Sequence, residues 1–230
     1  MTANRPAPLH LTDVTLRVRA TGALLLEKVS LTVAPGEIVT IMGPSGSGKS
    51  TLLAYAGGFL DPTAFTASGT VRLGDTKLND KSAAVRRLGI LFQDPVLFPH
   101  LSVAGNLLFG LPRALHRTRA SRRQAVEDAL ASAGLSGFAA RDPASLSGGQ
   151  KARVALLRTL LAEPHALLLD EPFGELDAAL RGEVRDLVFA RAGERRLPTL
   201  LVTHDAADAA GAGGPVYAIT DAGLNSALAG

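Results

Sequence analysis

Gly43-Pro44-Ser45-Gly46-Ser47-Gly48-Lys49-Ser50 is the stretch whose reading decides the fold. Its spacing is G-x-x-x-x-G-K-[ST], and Thr51 follows. Glycines let the backbone curl until successive N–H groups point at one anion. A helix starting at the end of such a loop adds its partial positive charge. Lys49 is placed to neutralise the outer phosphates of a nucleotide, and the Ser50 hydroxyl to ligate Mg²⁺. A Gly/Ser-rich turn is the bland alternative. The surroundings disfavour it, because the apolar run Glu37 to Met42 reads as a strand entering the loop and Leu52, Leu53 and Tyr55 mark a helix leaving it. Alone, the loop specifies phosphate binding, and kinases and GTPases share it.

Outward from the loop the pattern alternates. Leu9 to Val18 and Val29 to Val33 read as strands, and Pro35-Gly36 as a turn. Gly69 to Leu73 and Leu88 to Phe92 read as strands too. Residues from about 94 to 146 are helical in texture, with Arg, Ala and Leu broken by Gly or Pro. They are expected to form a helical subdomain inserted between residues 9–93 and 147–220. Ala152 to Leu161 and Leu180 to Ala192 are helices by pattern, and Ala166 to Asp170 and Thr199 to Thr203 are buried strands. Apolar strands alternating with helices predict a mostly parallel sheet covered on both faces.

Composition narrows the function. The 230 residues suffice for one α/β domain, and 47% are apolar, mostly aliphatic, since aromatics make up 4%. There is no Cys, which excludes disulfides and thiolate metal sites. A net charge of +3 does not by itself call for nucleic acid. The five arginines between Arg113 and Arg123 read as a solvated helix face. Met1 to Leu11 has no apolar core and is not expected to be a secretory signal. No apolar run is long enough to span a bilayer, so work at a membrane needs another chain.

Two further motifs carry chemistry. Ala166-Leu167-Leu168-Leu169-Asp170-Glu171 is an apolar run ending in two acids. At a strand's carboxyl end Asp170 can hold Mg²⁺ through water, and Glu171 can orient or deprotonate an attacking water. Leu146-Ser147-Gly148-Gly149-Gln150 precedes a helix and makes a second anion cradle. An ordinary capped helix start is the plainer reading. Two cradles in one chain make sense if the second serves the nucleotide of another copy.

Here the sequence resembles the ATPases of ABC transporters over roughly residues 9 to 220, with L-S-G-G-Q as their signature. The resemblance implies a P-loop NTPase fold: a mostly parallel α/β sheet core, an antiparallel β-subdomain and the inserted helical subdomain. It implies that Gln93 is the Q-loop glutamine that senses Mg²⁺, that Gly174-Glu175-Leu176-Asp177 is the D-loop, and that His204 is the switch histidine at the γ-phosphate. It further implies a head-to-tail homodimer with ATP held between the loop of one subunit and the signature of the other. Transmembrane permease subunits and, indirectly, an extracytoplasmic solute-binding protein would be its partners at the cytoplasmic face of the membrane. No nucleic acid is expected.

Phe92-Gln93-Asp94-Pro95, Leu97-Phe98-Pro99-His100-Leu101-Ser102-Val103, Asn106 and Pro143 resemble the importers for iron, thiamine, polyamines and sulfate. One departure concerns adenine. Many importer ATPases carry a stacking aromatic near the end of the first strand, whereas this chain has Leu16-Arg17-Val18-Arg19-Ala20. Arg19 is the candidate replacement. The competing functions are a soluble, non-transport ABC ATPase, which lacks support in a chain with one motif set and no sustained heptads, and a small-molecule kinase, which needs no second cradle.

Overall fold

A computed structural model describes residues 6–114, 116–220 and 223–226. Met1 to Arg5, part of the stretch read above against a secretory signal, lie outside them. Two compact units emerge. The first takes in the described residues up to Ile90, His165–Glu171 and those from Phe189 onward; the second takes in Leu91–Pro164 and Pro172–Val188.

The elements run in chain order as β1 (Leu9–Val18), β2 (Leu24–Val33), β3 (Ile38–Met42), α1 (Lys49–Gly57), β4 (Phe65–Leu73), β5 (Thr76–Lys77), α2 (Ala83–Arg86) and β6 (Leu88–Leu91). There follow α3 (Val103–Gly110), α4 (Arg119–Ser132), α5 (Gly148–Leu161), β7 (Ala166–Asp170), α6 (Ala178–Glu194), β8 (Thr199–Val202), α7 (Ala206–Ala212), β9 (Val216–Thr220) and β10 (Gly223–Ser226). One sheet has the order β2-β1-β4-β5, and the β1 pairings with β2 and β4 and the β4–β5 pairing are antiparallel. The other has the order β10-β9-β3-β8-β7-β6. There β9, β3, β8 and β7 are parallel, as their continuous apolar runs predict.

Register in the parallel sheet decides where chemistry can occur. Ile41 lies opposite Val202, and Val202 opposite Asp170. The loops after β3, β8 and β7 therefore leave the sheet along one edge. Beneath them Val39, Ile41, Leu168, Leu200, Leu52 and Leu53 form part of one buried core with the inner face of the antiparallel sheet. Each such side chain contributes roughly 1.5–3 kcal/mol by leaving water.

Several edges differ from the sequence expectations. β4 begins at Phe65 and β2 at Leu24, earlier than their apolar cores suggest. Thr66, Ala67 and Ser68 show no alternation, yet they pair with Arg17, Leu16 and Thr15 of β1. Long-range pairing overrides weak local propensity there. Ala206 to Pro215, compositionally opaque, contains the short helix α7, capped by Asp205.

The second unit is built on helices. Val103 and Leu107 of α3, Val126 and Leu130 of α4, and Val154 and Leu157 of α5 form its core. Their spacing of three or four residues puts each set on one helix face. Thr118 caps α4 by accepting from the Ser121 N–H. Arg122, from the basic run, donates to the Leu108 and Leu111 carbonyls at 3.1 and 3.3 Å and so closes the end of α3. Arg119 and Arg123 are exposed, as a solvated face requires.

Candidate functional site

The loop Gly43–Gly48 has the backbone that its glycines permit. Gly46 and Gly48 sit at φ 80° and 92°, in the left-handed region, and Gly48 is the N-cap of α1. Among the described residues no side chain caps that helix, and its first N–H groups suit an anion. Lys49 is buried and folds back, its Nζ donating to the Gly43 and Pro44 carbonyls at 2.8 Å each. The Ser47 hydroxyl is buried and has no hydrogen-bond partner among the described residues. A phosphate oxygen would satisfy it.

Across the same edge, Ser50 Oγ donates to Asp170 Oδ1 at 2.8 Å. Burial pushes the Asp170 carboxyl above its usual range, the Ser50 hydrogen bond opposes that, and the neighbouring Glu171 charge adds to it. A hydroxyl and a half-buried carboxylate in contact suit a hard cation with oxygen ligands. Among the described residues there is no group of three or more His, Asp or Glu able to hold a metal alone. The pair therefore fits an ion that takes its remaining ligands from water and phosphate, which is the habit of Mg²⁺.

Glu171 has φ 46°, an uncommon backbone for a residue with a side chain, costing about 1 kcal/mol or more. Its N–H donates to the Val202 carbonyl at 2.9 Å, which carries the sheet register one residue beyond β7. Its carboxylate oxygen lies 3.0 Å from His204 Nδ1, so that ring N–H donates to it. The His204 side chain is 64% exposed and Glu171 only 21%. Sequence reasoning missed what holds His204. Thr203 Oγ1 donates to buried Asp208 and accepts from the Asp205 N–H, and Asp205 Oδ1 accepts from Ala207 and Asp208 N–H groups. The Ala-rich helix is thus tied to the loop that presents the histidine.

Lys49, Ser50, Asp170, Glu171 and His204 belong to the first unit. Gln93, Leu146 to Gln150 and Asp177 belong to the second. Ser147 caps α5: its Oγ accepts from the Gln150 N–H at 3.3 Å, and Gln150 Oε1 accepts from the Ser147 N–H at 3.1 Å. The cap leaves room for an anion, because Gly148 and Gly149 begin the helix and keep their N–H groups outside that reciprocal pair. Asp177 Oδ1 accepts from the Leu180 N–H. Gln93 Nε2 donates to Glu175 Oε1 at 3.3 Å, a contact that no motif announced.

The sequence profile of the ABC transporter family matches residues 26–174. The ABC transporter ATP-binding protein YnjD of Escherichia coli K12 is 50% identical over 184 residues, covering 80% of this chain and 83% of that protein. The putative 2-aminoethylphosphonate import ATP-binding protein PhnT of Salmonella choleraesuis is 42% identical over 195 residues, 84% of this chain and 52% of that one. The sulfate/thiosulfate import ATP-binding protein CysA 2 of Rhizobium meliloti is 44% identical over 188 residues, 80% of this chain and 50% of that one. This chain thus spans about half the length of those two importer proteins. Among solved structures, the dimeric post-hydrolysis state of the ATP-binding cassette MJ0796 bound to ADP and Pi superposes with a TM-score of 0.77 at 31% identity, covering 94% of this chain and 96% of that one. With its phosphate loop, its paired acids and its signature all inside the matched segment, the chain belongs to the ABC transporter family, as an ATPase subunit.

Proposed function

We propose that this subunit powers a binding-protein-dependent importer, working as a head-to-tail homodimer at the cytoplasmic face of a membrane beneath separate permease subunits. The observation that carries the site is the register that brings the loop after β3, Asp170, Glu171 and His204 to one sheet edge. Among the described residues no helix is long and apolar enough to cross a membrane. The import ATP-binding proteins PhnT and CysA support the direction. The dimer of MJ0796 supports the assembly.

In this reading Gly43 to Thr51 bind the phosphates of ATP. Lys49 exchanges its two loop carbonyls for phosphate oxygens. Ser50 and Asp170 would hold Mg²⁺, which when bound would neutralise charge on the transferring phosphoryl group, and Gln93 is the proposed Mg²⁺ sensor. Glu171 takes the proton of the attacking water, and His204, already bonded to Glu171, orients that pair toward the γ-phosphate. Ser147 to Gln150 of the second copy close the site with helix N–H groups, and Asp177 belongs to the D-loop beside it. The segment from about 94 to 146 acts as the helical subdomain that meets the permease. The transported solute is chosen by the permease and the solute-binding protein.

The purified chain should release phosphate from ATP only with Mg²⁺, at a specific rate that rises with protein concentration as dimers form. A rate per chain unaffected by dilution into the nanomolar range, well below usual transient-dimer affinities, would reject the shared site.

Arg19 is proposed to lie over the adenine. Its Nε donates to the Pro62 carbonyl at 2.9 Å, which fixes the guanidinium by one edge and leaves a face for stacking. Such a contact is worth about 0.5–2 kcal/mol, so Arg19→Ala should weaken nucleotide binding by about 2- to 30-fold in a fluorescence titration. Unchanged affinity removes Arg19 from the base site.

A further inference from the structure

We propose that Arg158 is a positioning residue that ties the helix of the signature motif to the loop Val96–Ser102. The proposal rests on the reading of Ser147 to Gln150 as the cradle for a partner's nucleotide. All of the residues concerned lie in the second unit.

Arg158 is on α5, ten residues beyond the start of that helix at Gly148. Its Nη1 donates to the Val96 carbonyl at 2.9 Å, and its guanidinium lies 5.2 Å from the centre of the Phe98 ring. Burial lowers its pKa, so the fork is partly dry, which strengthens both contacts. The backbone at this point is equally committed. A Cβ on Gly110, the last residue of α3, would stand 2.3 Å from the Arg158 carbonyl oxygen, so α3 and α5 touch where only glycine fits.

The loop has a second anchor. Asn106 of α3 is fully buried, and its Nδ2 donates to the Phe98, Leu101 and Ser102 carbonyls while its Oδ1 accepts from the Phe98 N–H. Asn106 therefore sets the shape of the loop, and Arg158 sets its place against α5. Phe98 also packs against Phe109, with ring centres 4.6 Å apart and the ring planes tilted by 57°. The outer surface of the same cluster is apolar and open, with Val96 56% and Phe109 70% exposed. A push on that surface reaches Arg158 through one hydrogen bond and one ring, and α5 is a continuous helix from there to the signature glycines.

Two substitutions separate the polar contacts from mere packing. Arg158→Met keeps an unbranched stem but loses donor and charge, whereas Arg158→Lys keeps a cation and a donor. In Arg158→Met, amide exchange across residues 96–102 should quicken by about tenfold, as expected for one lost hydrogen bond and ring contact. The kcat for ATP should fall by about tenfold with nucleotide affinity of the monomer unchanged, because only the trans-acting cradle is disturbed. Arg158→Lys should recover most of both. Normal exchange and kcat in folded Arg158→Met overturn the proposal. If that variant does not fold, Phe98→Leu removes the ring from the loop side, and unchanged exchange and kcat there overturn it equally. Ser147→Arg run in parallel separates the two readings: full activity in that variant sinks the signature reading itself, whereas its inactivity beside a normal Arg158→Met sinks only the link.

Discussion

Glu171→Gln is expected to reduce ATP turnover by about 10²-fold or more while nucleotide binding persists and ATP-bound dimers accumulate. The substitution keeps the size of the side chain and an oxygen able to accept from His204 Nδ1, which lies 3.0 Å from the carboxylate. It removes only the group that can take a proton. The phosphate contacts proposed for Lys49, Ser50 and the loop N–H groups are left in place by the substitution. Loss of proton acceptance without loss of binding traps the state before hydrolysis, and a dimer that needs hydrolysis to open stays closed. Single-turnover phosphate release and size-exclusion chromatography with ATP give the two readouts. Near-wild-type turnover would take Glu171 out of the chemistry and leave the proton to water.

Ser147→Arg is expected to abolish hydrolysis without weakening ATP binding to the monomer. Ser147 caps α5, and loss of such a cap costs about 0.5–2 kcal/mol of stability. That alone does not stop a reaction. The arginine also adds a long side chain in front of the Gly148 and Gly149 N–H groups, where a partner's phosphates would dock. Ser147→Ala serves as the control that loses the cap alone, and it should retain substantial activity. Mixing Ser147→Arg with Lys49→Ala chains should recover part of the activity, because each mixed dimer retains one site with an intact loop and an intact signature. Full inactivity of the mixture, with mixed dimers verified by pull-down, would argue that both sites must fire together. Full activity of Ser147→Arg alone would dismiss the shared site.

Much of the site was legible in contiguous residues. The loop before α1 needed glycines at left-handed φ, and Gly46 and Gly48 supply them. The apolar run Ala166 to Leu169 had to be a strand buried on both faces, and all four residues are buried. A capped helix start was legible at Ser147, which is the N-cap of α5. What sequence reasoning missed has a common cause. Phe65 to Ser68 became strand only because β1 was there to pair with them. The ties of Thr203, Asp205 and Asp208 around His204 depend on hydroxyl and carboxylate directions that no periodicity encodes. Glu175 touches Gln93 across a separation of 82 residues.

By itself, then, the sequence determined local features of this protein: a glycine loop at a helix start, two acids at a strand end, a capped helix start at Ser147. Each rests on backbone conformations and capping that neighbouring residues specify among themselves. Only the tertiary structure decided which of these meet. Parallel pairing of β3, β8 and β7 in one register sets Ser50 against Asp170 and Glu171 against His204, since side chains on adjacent strands face each other only when hydrogen-bonded ladders fix their offset. The same holds for Arg158, an ordinary helix arginine until packing of α3 on α5 leaves its fork facing Val96 and Phe98.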